Sequence, residues 1–186
     1  MNNVEKLIAF ILLIVFFAFI VLVLIISSAS TKSYGLFSQI RIGQFGKPFI
    51  IYKVKTMRHN RVTLFGKYLR KFKIDELPQL FNILIGDMSF VGPRPDVPGY
   101  YDLLRGESRQ ILNCKPGLTS LAALKYLNEE ALLLTKDNPQ EYNDTVIFPD
   151  KVKMNLDYCK KKSLRHDLYI IGLTLKAIFV KNKITA

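Results

Sequence analysis

Asp75 and Glu76 are adjacent carboxylates that directly follow Lys67, Arg70, Lys71 and Lys73. Acids at the end of so basic a stretch serve either to neutralise charge or to react. Pro78 narrows their setting, because proline is tolerated only in the first turn of a helix. Leu77, Leu80, Phe81 and Leu84 follow the i, i+3, i+4, i+7 spacing of a helix face. That helix must start close to Asp75 or Glu76, at the positive end of its dipole, which favours ionised carboxylates. A plain N-cap with a first-turn acid has the same pattern. Further on, Pro93 and Pro95 enclose Arg94 and hold it extended. A stiffly presented guanidinium suits bidentate phosphate recognition, and Asp87 and Asp96 are close enough in sequence to pair with it instead.

These residues need a scaffold, and the pattern supplies one of class α+β. Residues 36–55 read as a β-hairpin: "LFSQIRIG" alternates, "FIIYKVK" is rich in strand formers, and "GQFGKP" supplies the turn. "LFGKYLRKFKI", at 64–74, is a basic amphipathic helix whose Lys and Arg stems can lie over apolar surface. Gly86 stops the helix after the acidic pair. "LKYLNEEALLL", at 124–134, reads as one amphipathic helix, followed by turn-rich "KDNPQEYND". The tail at 167–180 is strongly apolar but too short to span a bilayer, so it reads as an interfacial or core helix.

Residues 7–26 carry no charge, and about 20 apolar residues in helical form cross a bilayer core. The division is therefore an anchoring segment, 1–31, and a small, mostly helical domain, 32–186. Most cations follow the apolar run, which places that domain on the cytoplasmic face. The net charge of +12 over 186 residues calls for an anionic partner. The cations stand beside membrane-compatible apolar residues rather than interleaved with aromatics, so the partner is lipid or phosphorylated substrate, not nucleic acid. Cys114 and Cys159 form no CxxC pair and are expected to stay reduced. His59 and His166 are isolated, which argues against histidine-led catalysis or metal binding.

Taken in order, "QIRIGQFGKPFIIYKVKTM" (39–57), "LRKFKIDELPQLFNILIGDMSFVGPRP" (69–95), "KPGLT" (115–119) and "FPDKVKMNLDYCKKKSLRHDLYII" (148–171) resemble the bacterial sugar transferases, the monotopic phosphoglycosyl transferases. The resemblance implies transfer of a sugar-1-phosphate from a UDP-sugar to undecaprenyl phosphate at the bacterial inner membrane. This step opens the assembly of capsule, exopolysaccharide or lipopolysaccharide. It implies Asp75 as nucleophile, Glu76 as its acidic partner, and Mg²⁺ at Asp75 with Asp87 as an outer candidate ligand. Arg94 would bind phosphate, with Arg70 and Lys53 or Lys55 adding positive field. A homo-oligomer is left open. Two departures stand out. The family's membrane helix usually carries a Ser-Pro break, absent near Ala18-Phe19, so an unbroken span with residues 1–6 on the far side is an alternative to re-entry. Relatives also tend to have Thr-Gly after the Pro-Gly and an Arg where Leu127 stands. These departures motivate a second reading, a weakly catalytic scaffold or regulator of glycan assembly.

Overall fold

The computed structural model describes residues 2–184, and it is α+β with one long apolar helix at the front. Helix α1, Asn2–Thr31, runs 30 residues without interruption, as a segment free of proline permits. It is long and apolar enough to cross a membrane. One side packs on the domain: Ala9 joins Ile51, Leu80, Ile83 and Met88 in one core, and Val23 joins Val54 and Leu69 in another. The other side leaves Leu7, Ile14, Val15, Phe17, Leu22 and Ile25 exposed.

Both ends of α1 are tied to that same domain. Near its start, Glu5 accepts hydrogen bonds from Ser89 Oγ (3.3 Å) and from the Phe90 N–H (3.4 Å). Near its end, Ser27 Oγ donates to the Lys55 carbonyl, and the Gly35 N–H donates to Ser28 Oγ at 2.7 Å. Sequence reasoning offered a span with residues 1–6 on the far side. The Glu5 carboxylate finds its donors in the domain.

Strands β1, Leu36–Ile42, and β2, Pro48–Val54, form the anticipated antiparallel hairpin, with Leu36 opposite Val54 and Ile42 opposite Pro48. Phe45 and Gly46 turn the chain through the left-handed region. Two short strands, β3 (Met57–Arg58) and β4 (Arg61–Val62), lead into helix α2, Leu64–Lys71, whose start is capped by Thr63. Gly66 of α2 lies directly on the Thr56 carbonyl, where a Cβ would collide.

The acidic pair sits in a single 3₁₀ turn, Ile74–Glu76. Helix α3 follows at Gln79–Ile85 and ends at Gly86 with φ of 95°. The expected helix thus begins three residues after Glu76, with Leu77 and Pro78 between. Asn82 of α3 is fully buried, and its amide caps the free edge of β2. Nδ2 donates to the Ile50 carbonyl at 2.6 Å, and Oδ1 accepts from the Tyr52 N–H at 3.3 Å. A side-chain amide thereby serves β2 as a neighbouring strand's peptide would.

Strand β5, Ser89–Val91, pairs in parallel with β6, Gly117–Thr119. "LKYLNEEALLL" does not form one helix. Helix α4, Leu121–Lys125, and helix α5, Glu129–Leu133, are separated by Tyr126–Asn128, where both Tyr126 and Leu127 line the cavity described below. Helix α6, Pro139–Tyr142, passes through a π turn into α7, Phe148–Lys161, and α8, Leu164–Ile184, closes the order. In α8, Ile170 and Asp167 are buried while Leu168, Tyr169, Leu175 and Phe179 are exposed, which fits an interfacial helix. Cys114 and Cys159, expected to remain apart and reduced, come to a Cα separation of 6.1 Å and are joined as a disulfide. Their contact links the loop before β6 to α7 and is invisible at a sequence separation of 45.

Asn82→Ala would leave the Ile50 carbonyl and Tyr52 N–H without partners in a buried setting. It is expected to lower stability by about 2–4 kcal/mol, measured by urea unfolding of the detergent-solubilised chain.

Candidate active site

Lys73 starts the site. Its φ of 58° places it in the left-handed region, unusual for a residue with a Cβ. The chain reverses there between α2 and the 3₁₀ turn, and the reversal turns both following carboxylates inward. Asp75 and Glu76 are 8% and 6% exposed, which is low for acids.

Glu76 is fully engaged. Its Oε1 lies 2.6 Å from Arg94 Nη2, 3.6 Å from Lys53 Nζ and 3.7 Å from Lys73 Nζ. Burial alone would raise its pKa. The charges of Arg94, Lys53 and Lys73 outweigh that and hold the carboxyl well below the usual carboxylate range. Arg94 is shifted upward in turn, chiefly by Glu76.

Asp75 stands in contrast. Its Oδ1 is buried and accepts no hydrogen bond. Burial first, then the Glu76 charge, push it up to about 6, against the pull of Lys53, Lys73 and Arg70. The sequence argument expected the helix start to favour ionisation of both acids. Glu76 is held ionised, but by Arg94, Lys53 and Lys73 rather than by a helix end, and Asp75 is shifted the other way because desolvation exceeds a helix-end effect of about 0.3–1 kcal/mol. At pH 7 Asp75 remains mostly ionised. Lys53 is pulled down to about 8, by burial and then by Arg94.

Both acids face a cavity of about 1200 Å³, along whose wall basic side chains outnumber acidic ones twofold. Arg94, Arg70, Lys53 and Lys55 all line it, and Asp87 does not. Arg70 is held by Thr56 Oγ1 (2.9 Å) and Glu130 Oε2 (3.2 Å). Arg41, Glu129 and Lys151 also line the cavity and were not singled out from sequence, and so do Lys73 and Asp96, noted there only as a flanking cation and a possible Arg94 partner. Strand alternation carried a signal for Arg41, since period two puts Gln39 and Arg41 on one face of β1, and both reach this wall. Ser120, which follows Thr119 where relatives tend to have the glycine of Thr-Gly, is the fully buried N-cap of α4 and accepts from the Ala123 N–H at 3.0 Å. Leu127, where relatives tend to have an Arg, lines the cavity.

A basic hollow can gather phosphates, and a buried carboxylate with a free oxygen at its floor can attack or coordinate. Beside an apolar helix, this layout is suited to phosphorylated ligands at a membrane surface. The chain belongs to the bacterial sugar transferase family, whose model matches residues 2–181. It is 32% identical over 171 residues to a galactosyl transferase, CpsE, of Streptococcus agalactiae, covering 78% of this chain and 35% of that one. It is 32% identical over 160 residues to an uncharacterized sugar transferase, EpsL, of Bacillus subtilis, covering 80% and 71%. A UDP-glucose:undecaprenyl-phosphate glucose-1-phosphate transferase of Klebsiella pneumoniae is 32% identical over 179 residues, covering 86% and 36%. The chain thus spans about a third of the length of two of these relatives and most of the third.

Asp75 carries a stability signature. Because its folded pKa lies above its ordinary value of 3.8, the ionised form is disfavoured by folding. The resulting destabilisation is present in full above about pH 6 and fades as pH falls toward 3.8. Asp75→Asn is therefore expected to stabilise the fold by about 1–3 kcal/mol at pH 7 and to gain nothing near pH 4, read from urea unfolding at both pH values.

Proposed function

We propose that the protein transfers a sugar-1-phosphate from a UDP-sugar to undecaprenyl phosphate, on the cytoplasmic face of a bacterial membrane, as the first step of a surface glycan. The observation that carries this reading is the inequality within the dyad. Glu76 is spent on Arg94, Lys53 and Lys73, whereas Asp75 Oδ1 is buried without a partner in the same cation-rich cavity. Family membership supports the reaction class, and relatives are named for this transfer with glucose and N-acetylgalactosamine as the sugars.

In this mechanism the Asp75 carboxylate attacks the phosphorus that bears the sugar. The bridging P–O bond breaks, its electron pair leaves with UMP, and the phosphosugar is held on Asp75. The phosphate oxygen of the lipid acceptor then attacks the same phosphorus, breaks the acyl-phosphate bond and restores the Asp75 carboxylate. Ionised carboxylates are weak nucleophiles, and a raised pKa makes Asp75 a better one. Arg94 and Lys53 stabilise negative charge on the phosphoryl oxygens without needing to reorganise, since Glu76 already holds them.

A magnesium ion suits the donor set. Mg²⁺ keeps several waters and accepts one or two carboxylates together with substrate phosphates, so the lack of any cluster of three acidic, His or Cys ligands among the described residues is compatible with it. Asp75, with its orphaned oxygen, would hold the ion, which supplies Lewis-acid neutralisation of the diphosphate. Asp87, outside the cavity wall, is the weaker candidate.

The test is UMP release from a panel of UDP-sugars by detergent-solubilised protein, with Mg²⁺ and with or without undecaprenyl phosphate. Turnover that needs the lipid phosphate and falls by about 10³ or more in Asp75→Asn supports the proposal. Activity that survives in Asp75→Asn removes Asp75 as the nucleophile, and no turnover with any donor from folded protein removes the proposal and favours the scaffold. The pH profile follows from the two shifted groups. Turnover is expected to rise through about pH 6 as Asp75 loses its proton and to fall above about pH 8 as Lys53 loses its own. A flat profile across that range would contradict the assignment.

A further inference from the structure

Three carboxylates in the cavity, Asp96, Glu129 and Glu130, lie outside the dyad. Phosphate recognition alone gives them no purpose, since each repels the ligand the cations attract. Two are already occupied. Glu129 is bound through both oxygens to Lys151 Nζ at 2.6 Å, and Glu130 pairs with Arg70 at 3.2 Å. Asp96 is different. Its Oδ1 accepts from the Val97 N–H at 2.9 Å. Arg41 Nη1 forms a loose ion pair with Oδ1 at 3.8 Å, beyond hydrogen-bond distance, and Arg41 donates instead to the Pro95 carbonyl and to Gln39 Oε1. Oδ2 lies outside these contacts.

The backbone fixes where Asp96 is offered. Arg94, Pro95 and Asp96 all line the cavity. The segment is stiffened by Pro93 and Pro95 and docked on the end of β1, where the Ile42 N–H donates to the Asp96 carbonyl at 2.9 Å. Arg94 and Asp96 thus offer a guanidinium and a carboxylate to one cavity, two residues apart on a stiffened segment. The cavity also contains the buried, unpartnered Asp75 oxygen, which independently marks it as a place for a ligand.

We infer that Asp96 is a specificity-determining residue that accepts hydrogen bonds from ring hydroxyls of the nucleotide-sugar while Arg94 grips the adjoining phosphate. Carboxylates read neighbouring hydroxyls well because both oxygens accept and the bonds are charge-assisted. The ring is either the transferred sugar or the ribose. The inference rests on the transferase reading and deepens it: Asp75 carries the chemistry, and Asp96 selects what is carried.

The experiment is calorimetric titration of the detergent-solubilised full chain with UDP-glucose, UDP-N-acetylgalactosamine, UDP and inorganic pyrophosphate, using wild type, Asp96→Asn and Asp96→Glu. Asp96→Asn keeps the shape and removes a negative charge. Asp96→Glu keeps the charge and moves the oxygens. Both are expected to weaken at least one UDP-sugar about tenfold or more, while pyrophosphate binding holds or tightens in Asp96→Asn. Loss confined to UDP-sugars assigns the transferred sugar, and equal loss for UDP assigns the ribose. Unchanged UDP-sugar affinity in both variants, or tightening of every ligand in Asp96→Asn, would overturn the inference and leave Asp96 as a repulsive charge beside Arg41. A wild-type protein that binds pyrophosphate but no UDP-sugar would overturn the transferase reading itself, and this inference with it.

Discussion

Glu76 gathers cations from three separate parts of the chain. Lys53 comes from the hairpin, Lys73 from the left-handed reversal before the dyad, and Arg94 from the proline-bounded segment after β5. A buried carboxylate of this kind tolerates no missing partner, since an uncompensated charge in such a setting costs about 3–5 kcal/mol. The net energy of the cluster against an apolar replacement is small by the same reasoning. What the cluster provides is placement. Three segments that share no secondary structure are held at one point, and that point is the floor of the cavity.

Asp75 depends on this arrangement. The residue next to it has absorbed the available counter-charge, so Asp75 is left with burial and a negative neighbour. Both raise its pKa, and neither gives its Oδ1 a partner. Two adjacent carboxylates in one turn thus acquire opposite shifts, set by their surroundings rather than by residue type. Lys73's positive φ belongs to the same design, since strain tolerated at one backbone position orients both side chains.

Much of this was legible before any coordinates. The hairpin, α2, α3 with its Gly86 stop, and the apolar leading segment each follow from a local period or a punctuating residue. The residues of the candidate site were legible as types, and Lys53, Lys55, Arg70, Arg94 and the dyad do line one cavity. What stayed hidden was non-local. Period alone joins α4 and α5 into one helix, whereas tertiary packing turns Tyr126 and Leu127 toward the cavity. A helix dipole is readable from sequence, but desolvation is not, and it decides Asp75. Asn82 looks like an ordinary helical asparagine until β2 is seen to lack a strand on one edge. Arg41 and Asp96 were visible only as hairpin and loop charges, because nothing local reports that β1 and the segment after Arg94 run side by side. The Cys114–Cys159 contact was concealed in the same way.

The two attachments of α1 also constrain orientation. Glu5 is bonded at β5 and Ser27 at the end of β2, sites separated by 22 residues of continuous helix, or about 33 Å. A helix fastened at a single end could pivot like a tethered float, but one fastened at both moves with its cargo as a keel moves with its hull. Whatever depth a lipid layer assigns to the exposed ridge of α1, the draught of Asp75 is set with it. Any group confined to the headgroup plane then meets the carboxylate at a fixed height, so reaching it is a search in two dimensions rather than three.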